Sequence, residues 1–341
     1  MVLAGTIAAL IANGVNSATS SAGNSSSAAA CDVTTVADEV LPSVVTISAT
    51  GSAGGGTGSG EVIRSDGHIV TNNHVISVAA NGGSVRVLFT SGQSEPATIV
   101  GRDPLTDLAV LKVQPEPTLK VISLGSSESV RVGQPVVALG SPLGLTGTVT
   151  AGIVSALDRT VQVPGENDRS AVLVSAVQTD AAINPGNSGG ALVNCGGKLI
   201  GVPTAGATVP SPSGEASGGS IGLGFAIPVD LASQIADEII STGRVTHAYF
   251  GLQTVPIPPA EAARAGVPEG LYVLALAPSG PAARAGLARG DIITSVDGEP
   301  ATSNIQLETL TVTKRAGDVV AVEYKRGGQS GRTNVTLGAQ P

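Results

Sequence analysis

The sequence is poor in aromatic residues and contains no tryptophan; Phe, Trp and Tyr together make up 2% of its 341 residues. Aromatic side chains therefore contribute little to any hydrophobic core, and valine, isoleucine, leucine and alanine must fill it. Hydrophobic residues still account for 42% of the chain, which is ample for such cores. A chain of this length favours two domains over one.

Basic residues and metal-ligating residues are also scarce. Lysine and arginine number 18 against 26 acidic residues, the formal net charge is −8, and no basic cluster occurs. We therefore do not expect a nucleic-acid partner, since phosphate binding needs a basic surface. The two cysteines and three histidines lack the spacing of metal ligands, so we expect no metal. The P-loop pattern that binds ATP is missing too, and no cofactor is expected.

A long hydrophobic run is missing as well. Residues 2–12, VLAGTIAALIA, are uncharged and apolar, but a bilayer span needs about 20 residues, and no basic residue precedes them as in a signal peptide. We interpret residues 1–13 as the remaining end of a longer signal anchor or transmembrane helix; the alternative is a start-site artefact without a structural role. Residues 14–37 are predicted to be a flexible linker rich in Ser, Ala and Gly. An apolar segment followed by such a linker fits a domain held outside the cytoplasm.

The two cysteines are Cys31 and Cys195. If the compartment is oxidising, one disulfide between them is possible. It would tie the end of the linker to the domain that follows.

Short runs of Val, Ile and Thr, separated by turn residues, dominate residues 38–228 and indicate a mainly β protein. Two small barrels would hold that many strands, with a break near residues 114–135. Residues 229–242 have apolar side chains at helical spacing and predict a closing helix, with Gly243 as its stop. From residue 247 to 340, a second block mixes strands with two helical stretches and has the size of a small independent module.

The stretch AAINPGNSGGAL, residues 181–192, concentrates Pro and Gly around Ser188. It is either an ordinary loop or a backbone shaped so that the hydroxyl can react, and a reactive serine needs a base. His68, beside an Asp-Gly turn, is interpreted as a solvated hairpin residue, and His247 as a junction residue without catalytic work. His74 differs, because it directly follows an apolar strand among side chains that bend a chain.

The sequence offers three aspartates as the acid that could orient the histidine. Asp107 immediately precedes the apolar strand LAVLKV, whereas Asp103 is interpreted as a turn residue before Pro104. Asp180 lies only eight residues before Ser188 and is interpreted as a buttress of that loop.

The order of the histidine, aspartate and serine candidates along the chain is more informative than each residue alone. His74, Asp107 and Ser188 follow one another with separations of 33 and 81 residues. This order is typical of chymotrypsin-type proteases with two barrels. An α/β-hydrolase elbow is nearly matched by residues 186–190, but the pattern that follows them predicts a hairpin instead of the helix that the elbow requires.

Several motifs together closely resemble the HtrA (DegP/DegS-like) serine proteases, and most of all their actinobacterial membrane-anchored or secreted members. The motifs are TNNHVI (71–76), TDLAVLK (106–112), GSPLGL (140–145), TDAAINPGNSGGAL (179–192) and IGLGFAIPVD (221–230). The resemblance covers about residues 38–340. It implies a chymotrypsin-like double β-barrel protease domain over 38–243 and a small α+β PDZ domain over 247–340.

The resemblance also implies a function. It is that of an ATP-independent endopeptidase that degrades unfolded or misfolded proteins outside the cytoplasm, in protein quality control under stress. The chain would be held at the membrane by an upstream anchor and would form a homotrimer. Two alternatives stay open: a chaperone that holds unfolded clients, and a PDZ scaffold attached to an inert β domain.

The family's catalytic roles fall on residues that the order of the motifs already selects. The resemblance implies that His74 is the general base, that Asp107 orients it and that Ser188 is the nucleophile. It further implies an oxyanion hole formed by the main-chain N–H groups of Gly186 and Ser188.

The resemblance also implies the substrate pocket. The residues implied for the S1 pocket are Ala182, Ile183, Val202, Thr204 and Gly206. Ala182 stands where trypsin-like enzymes carry an acid, so we expect a preference for small or medium apolar side chains such as Val, Ala or Leu. Pro203 stands where the family usually has Asn, and it removes one main-chain donor beside the substrate strand.

In the second module, YFGLQ at residues 249–253 matches the family's carboxylate-binding loop. The resemblance implies that the N–H groups of Phe250, Gly251 and Leu252 receive the C-terminus of a peptide, which adds to the sheet as a strand. Residues 280–298 carry the strongest PDZ signature, although most of its Gly and Ala residues shape turns and helix packing.

Overall fold

The computed structural model describes residues 31–114, 119–141, 147–166, 170–206 and 220–340. The predicted remnant of an anchor lies outside these residues, as does most of the predicted linker. Within the described part of the chain, no helix is long and apolar enough to cross a membrane.

The end of the predicted linker is helical. Helix α1 covers Val33–Val40 and begins inside the segment 14–37 that the sequence predicts to be flexible. Asp32 caps the helix, because its carboxylate accepts hydrogen bonds from the main-chain N–H groups of Thr34 and Thr35 at 3.1 and 3.2 Å. The predicted end of the linker is therefore wrong: the chain is ordered and capped several residues earlier.

Six antiparallel strands close the first barrel in the order β1-β2-β3-β6-β5-β4. The strands are β1 (Val44–Gly51), β2 (Gly54–Val62), β3 (His68–Asn72), β4 (Ser84–Leu88), β5 (Ser94–Asp103) and β6 (Leu108–Lys112). A four-residue helix, α2 (Asn73–Ile76), follows β3. The interior contains mostly valine, isoleucine, leucine and alanine, as the composition requires.

The second barrel closes in the order β11-β8-β9-β10-β13-β12, with a short strand β7 paired in parallel to β12. Its strands are β7 (Ser123–Leu124), β8 (Pro135–Gly140), β9 (Thr148–Pro164), β10 (Ser170–Thr179), β11 (Ala191–Asn194), β12 (Lys198–Gly206) and β13 (Gly224–Pro228). The predictions of a mainly β chain and of two barrels are confirmed.

Helix α3 covers Val229–Thr242, as its spacing predicts. Gly243 ends it in the left-handed conformation, with a φ of 80°, and its N–H donates to the Ile239 carbonyl at 2.7 Å. The buried side of α3 packs between the two barrels, where Ile235 and Ile239 join one apolar cluster.

The last module is a separate small sheet with helices. Its elements are β14 (Ala248–Tyr249), β15 (Leu252–Ile257), α4 (Pro259–Ala265), β16 (Gly270–Leu276), α5 (Pro281–Arg284), β17 (Ile292–Val296), β18 (Glu299–Pro300), α6 (Asn304–Thr313), β19 (Val319–Arg326), β20 (Gln329–Thr336) and β21 (Gly338–Ala339). The main sheet has the order β15-β16-β17-β19-β20, so β15 lies at an edge. Three helices occur where the sequence predicts two; α5, with four residues, is too short to show a helical period.

The outer face of β2 and β3 packs against the second barrel. A Cβ at Gly60 would lie 2.7 Å from both Ile47 and Ile69, so Gly60 faces the interior of the first barrel. Side chains alternate along a strand, and Ser59 and Glu61 therefore face outward, towards the second barrel. The hydroxyl of Ser59 indeed donates to the Gly186 carbonyl at 2.6 Å.

Glu61 is a buried carboxyl group in that face. Its exposed fraction is 0%, and neither carboxylate oxygen has a hydrogen-bond partner among the described residues. Its neighbours across the ladders are Val44 and Val70. Burial raises the pKa of Glu61 well above its usual range, because a charge in an apolar site loses its hydration. The folded protein therefore favours the neutral acid.

Replacing Glu61 should change how stability depends on pH. The pKa is higher in the folded than in the unfolded chain, so this group's contribution is full below the ordinary glutamate pKa and declines as the pH rises towards the raised value. We expect Glu61→Gln to flatten that decline and Glu61→Leu to add about 1–3 kcal/mol to the free energy of unfolding at pH 7. Denaturant unfolding at several pH values measures both, with the exposed Glu128→Gln as control. A pH dependence shared by the native protein and Glu61→Gln would contradict the assignment.

Candidate active site

Asp107 is held in place by four hydrogen bonds. It is 2% exposed and adopts a φ of 58°, a left-handed conformation that is uncommon for a residue with a side chain. Its carbonyl accepts from the Asn73 N–H at 3.1 Å and from the Asn72 amide at 2.8 Å. Its carboxylate accepts the main-chain N–H of His74 at 2.9 Å and contacts the ring Nδ1 at 2.7 Å. The carboxylate therefore fixes both the backbone and the ring of His74.

His74 lies where β3 passes into α2, and its side chain is 40% exposed. Since Asp107 occupies Nδ1, a proton on that atom leaves Nε2 as the acceptor on the open side. This is the tautomer that a general base needs. The structure thus brings together two of the three residues that the sequence orders.

Ser188 lies in the loop between β10 and β11, half-buried. Its carbonyl accepts the Ser59 N–H at 2.9 Å, and Gly58 lies between that carbonyl and Val75 of α2. These contacts tie the serine loop to the elements beside His74. The Ser188 hydroxyl donates to the Thr204 carbonyl at 3.2 Å, and no described hydrogen bond joins it to His74. The hydroxyl therefore has a resting orientation from which it must turn.

The loop before Ser188 has a backbone that requires glycine. Gly186 has a φ of 102°, and a side chain there would strain the turn. Ser59 fixes this segment to the first barrel, since its hydroxyl donates to the Gly186 carbonyl and accepts the Ser141 N–H at 2.7 Å. The Asn187 amide donates to the Ala182 carbonyl at 3.1 Å and braces the loop from within.

The side chains of the residues predicted to form the substrate pocket have different surroundings in the structure. Ile183 is 4% exposed and fills the space over Gly224, where a Cβ would lie 2.5 Å from its Cγ1. Thr204 is buried and accepts the Asn72 amide on its hydroxyl at 2.8 Å. Val202 belongs to the apolar cluster between the barrels and is 0% exposed. Its assignment to the pocket is therefore wrong, because its side chain fills the core.

The remaining two pocket positions lie beside these residues. Ala182 is half-buried and lies on the loop that Asn187 braces, while Gly206 pairs with Gly224 at the end of the β12–β13 ladder. Neither brings a charge. Pro203 keeps a structural role despite its missing N–H, since its carbonyl accepts the Gly189 N–H at 2.8 Å.

His68 is structural but it is not solvated as predicted. It is 8% exposed, and its Nδ1 lies 2.7 Å from Asp66, which also pairs with Lys112 at 3.1 Å. Burial alone would raise the pKa of Asp66, but the hydrogen bonds and charges of His68 and Lys112 outweigh it and lower the pKa to about 2. The hairpin is closed by this small charged cluster.

The other two acids behave as turn and loop residues. Asp103 accepts the Leu105 N–H at 3.2 Å and the Thr106 hydroxyl, so the prediction of a turn residue is confirmed. Asp180 accepts the Ile153 N–H at 2.7 Å, so its carboxylate holds strand β9, whereas the sequence predicts a buttress of the serine loop.

A polar cluster around Asn73, the residue before His74, was not predicted from the sequence. Arg102 donates to Asn73 at 2.9 Å and forms an ion pair with Glu166, which also accepts the Asn73 amide at 3.0 Å. The cluster holds the residue before His74 between the two barrels. Its members lie on β5, α2 and the β9–β10 connection, so only long-range folding brings them together.

The predicted carboxylate loop lines a groove in the last module. The groove is lined by Tyr249, Phe250, Gly251, Leu252, Gln253, Thr254, Asn304, Leu307, Glu308 and Thr311. Its two sides are the edge strand β15 and helix α6. Gly251 has a φ of 73° and its carbonyl accepts the Ala277 N–H at 2.8 Å, so the loop is fixed from behind. An edge strand beside a helix can take an added peptide strand.

Neither cysteine is a free thiol. Cys31 and Cys195 are both disulfide-bonded in the structure. The chain contains no third cysteine.

Gly189 provides a test of how tightly the serine loop packs. Its φ is 78°, and a Cβ would lie 2.4 Å from the Ser59 carbonyl oxygen and 2.4 Å from the Thr71 hydroxyl. Gly133 has a similar φ of 85° with open space around it. We expect Gly133→Ala to cost about 1–2 kcal/mol of unfolding free energy from strain alone, and Gly189→Ala about 1–3 kcal/mol more from the clash. Denaturant unfolding compares the two, and equal costs would contradict this packing.

Comparison with known proteins follows the two halves of the fold. The trypsin-like peptidase domain family matches residues 58–202, and the PDZ domain family matches residues 248–337. The chain is 45% identical over 310 residues to the serine protease PepD of Mycobacterium tuberculosis, which covers 89% of this chain and 65% of PepD. It is 40% identical over 286 residues to a probable periplasmic serine endoprotease, DegP-like, of Halomonas elongata, which covers 83% of this chain and 56% of that protein. The chain thus spans less than two thirds of the length of these curated relatives.

A solved structure agrees over nearly the whole fold. The HtrA-type protease AlgW, in a structure with a decapeptide, matches with a TM-score of 0.70 at 32% identity, over 91% of this chain and 99% of the AlgW chain. The chain belongs to the HtrA family of trypsin-like serine proteases with a PDZ domain.

Proposed function

We propose that this protein is a serine endopeptidase in which Ser188 is the nucleophile, His74 the general base and Asp107 the residue that orients the base. The observation that carries the proposal is the contact of 2.7 Å between the Asp107 carboxylate and Nδ1 of His74, on an aspartate that is almost fully buried. A buried carboxylate in that position stabilises the imidazolium that forms when His74 accepts a proton.

The reaction follows from these positions. The Ser188 hydroxyl turns from the Thr204 carbonyl to Nε2 of His74, gives up its proton there and attacks the scissile carbonyl carbon. The oxygen of the tetrahedral intermediate accepts hydrogen bonds from the N–H groups of Gly186 and Ser188. His74 then returns the proton to the leaving amine, and an acyl group stays on Ser188. Water, activated by His74, releases the second product and restores the hydroxyl.

The expected substrate has a small or medium apolar side chain at the cleaved position. Ala182, Ile183 and Gly206 bring no charge to the pocket side of the serine loop, so a basic or acidic side chain would lose its hydration without gaining a partner. Val, Ala and Leu suit such a surface.

The PDZ groove extends recognition to chain ends. A peptide would add to the edge strand β15 with its carboxylate at the N–H groups of Phe250, Gly251 and Leu252. Occupancy of the groove would deliver substrate or regulate the protease. That AlgW has been solved with a decapeptide supports a peptide ligand for this fold.

The cellular setting is part of the proposal. The DegP-like relatives are named periplasmic, which supports ATP-independent degradation of unfolded or misfolded proteins outside the cytoplasm. The protein would be anchored through the upstream apolar segment and would work as a homotrimer.

Removing the nucleophile tests the proposal. We expect Ser188→Ala to abolish casein cleavage and fluorophosphonate labelling, because both reactions proceed through the Ser188 hydroxyl in the proposed mechanism. The unfolding midpoint should stay near that of the native protein. Ser48→Ala, a change at an exposed serine of β1, should keep full activity. Undiminished cleavage by Ser188→Ala would contradict the proposed function.

Adding a negative charge to the groove tests the PDZ assignment. Thr311 lines the groove and Thr313 is exposed on the same helix outside it. We expect Thr311→Glu to weaken binding of a peptide with a free hydrophobic C-terminus about tenfold or more, since the glutamate repels its carboxylate. Thr313→Glu carries the same charge and should bind as the native protein does. Fluorescence anisotropy measures both affinities; equal affinities for the two variants would contradict the assignment.

A further inference from the structure

A histidine at the start of the PDZ module reaches into the protease domain. Nε2 of His247 lies 2.8 Å from Oδ1 of Asp103, and the two side chains are 7% and 3% exposed. The residues are 144 positions apart in the chain. Such a buried pair is costly to break, because the partner left behind keeps an unpaired buried charge.

Several groups shift the pKa of His247. Burial lowers its pKa, but the hydrogen bond and charge of Asp103, the charge of Glu238 and the main chain of Thr311 outweigh burial and raise the pKa. The contact with Asp103 thus favours the protonated form of His247, in which the hydrogen bond is charge-assisted.

Asp103 begins the turn that leads to the proposed catalytic aspartate. The same carboxylate that contacts His247 accepts the Leu105 N–H and the Thr106 hydroxyl, so it holds the turn between β5 and β6. Thr106 is 1% exposed and directly precedes Asp107. Asp107 needs this support, because its left-handed backbone is not adopted spontaneously by most side-chain-bearing residues.

The other side of His247 continues into the peptide groove. β14 follows it directly, and the groove residues Tyr249, Phe250 and Gly251 come next. Helix α6 packs against β14. Thr311 of that helix lines the groove, and its main chain forms a hydrogen bond with the His247 ring. A peptide that moves either wall of the groove therefore moves elements that touch His247.

We infer that His247 is a positioning residue that couples occupancy of the PDZ groove to the turn over residues 103–107, through its contact with Asp103. The inference rests on the proposed roles of Asp107 and Ser188. It assigns His247 no contact with substrate. The coupling acts by keeping the turn in the arrangement that places the Asp107 carboxylate on His74.

The test uses the full chain and the rate at which a fluorophosphonate labels Ser188, measured with and without a peptide that ends in a hydrophobic residue and a free carboxylate. We expect His247→Ala to slow labelling about tenfold and to remove the response to the peptide, since small displacements of catalytic groups have large effects on rate. His247→Gln keeps an N–H donor near the position of Nε2 and should restore labelling to within about twofold of the native rate. A purely structural histidine would show no such link to the peptide.

His68 supplies the matched control, because it is also a buried histidine paired with an aspartate, at 2.7 Å from Asp66, but it lies in the first barrel. His68→Ala should keep both the rate and the peptide response. If His247→Ala does not fold, His247→Asn, whose shorter amide does not reach Asp103, takes its place. Native rate and response in the His247 variant, or equal losses in the His68 variant, would overturn the inference. Failure of the native protein to label at all would instead contradict the proposed function on which it rests.

Discussion

Burial of one face of the first barrel against the second is the constraint on which the rest of the structure depends. Val70 and Leu108 of the first barrel share an apolar cluster with Val202 and Ile227 of the second, and α3 covers its side. β3 ends, and β6 begins, at this face. Apolar packing between the barrels therefore places the histidine–aspartate pair at the edge of their contact, opposite the serine loop, and polar interactions are not needed for this placement.

Polar groups in the same face refine the position that apolar packing sets. Ser59 reaches the serine loop, the hydroxyls of Thr46 and Ser141 are hydrogen-bonded to each other, and Asn72 bridges Asp107 and Thr204. Each bond satisfies a group that would otherwise be costly to bury. Glu61 and the Oδ1 atom of Asn72 depart from this pattern, since neither the carboxyl group nor that amide oxygen has a hydrogen-bond partner among the described residues. Burying these polar atoms without partners lowers the stability of the fold, and apolar packing alone does not explain why they are present.

Local patterns in the sequence predicted the architecture well. Period-two runs and turn residues indicate the strands, and the spacing over residues 229–242 indicates α3, because both signals come from neighbours in the chain. The order of His74, Asp107 and Ser188 also points to the two-barrel fold before any geometry is known. The contact between His74 and Asp107 could not be measured from the sequence, because it joins residues next to the ends of two different strands.

What the sequence missed depends on distant contacts. His247 and Asp103 each look like ordinary junction or turn residues, and no local period marks a pair 144 positions apart. His68 looks solvated because its Asp-Gly turn is polar, although the fold buries it. The family resemblance implies a pocket position for Val202, yet the fold buries its side chain completely in the apolar cluster between the barrels.

A high-resolution structure of the protein after reaction with a fluorophosphonate would show directly whether Ser188 is the nucleophile. We expect a phosphorus atom bonded to the Oγ of Ser188, with this oxygen no longer hydrogen-bonded to the Thr204 carbonyl. One phosphonyl oxygen should accept hydrogen bonds from the N–H groups of Gly186 and Ser188, and His74 should keep its contact with Asp107. Phosphorus on another residue, or an adduct at Ser188 with His74 turned away from Asp107, would contradict the proposed roles of these three residues.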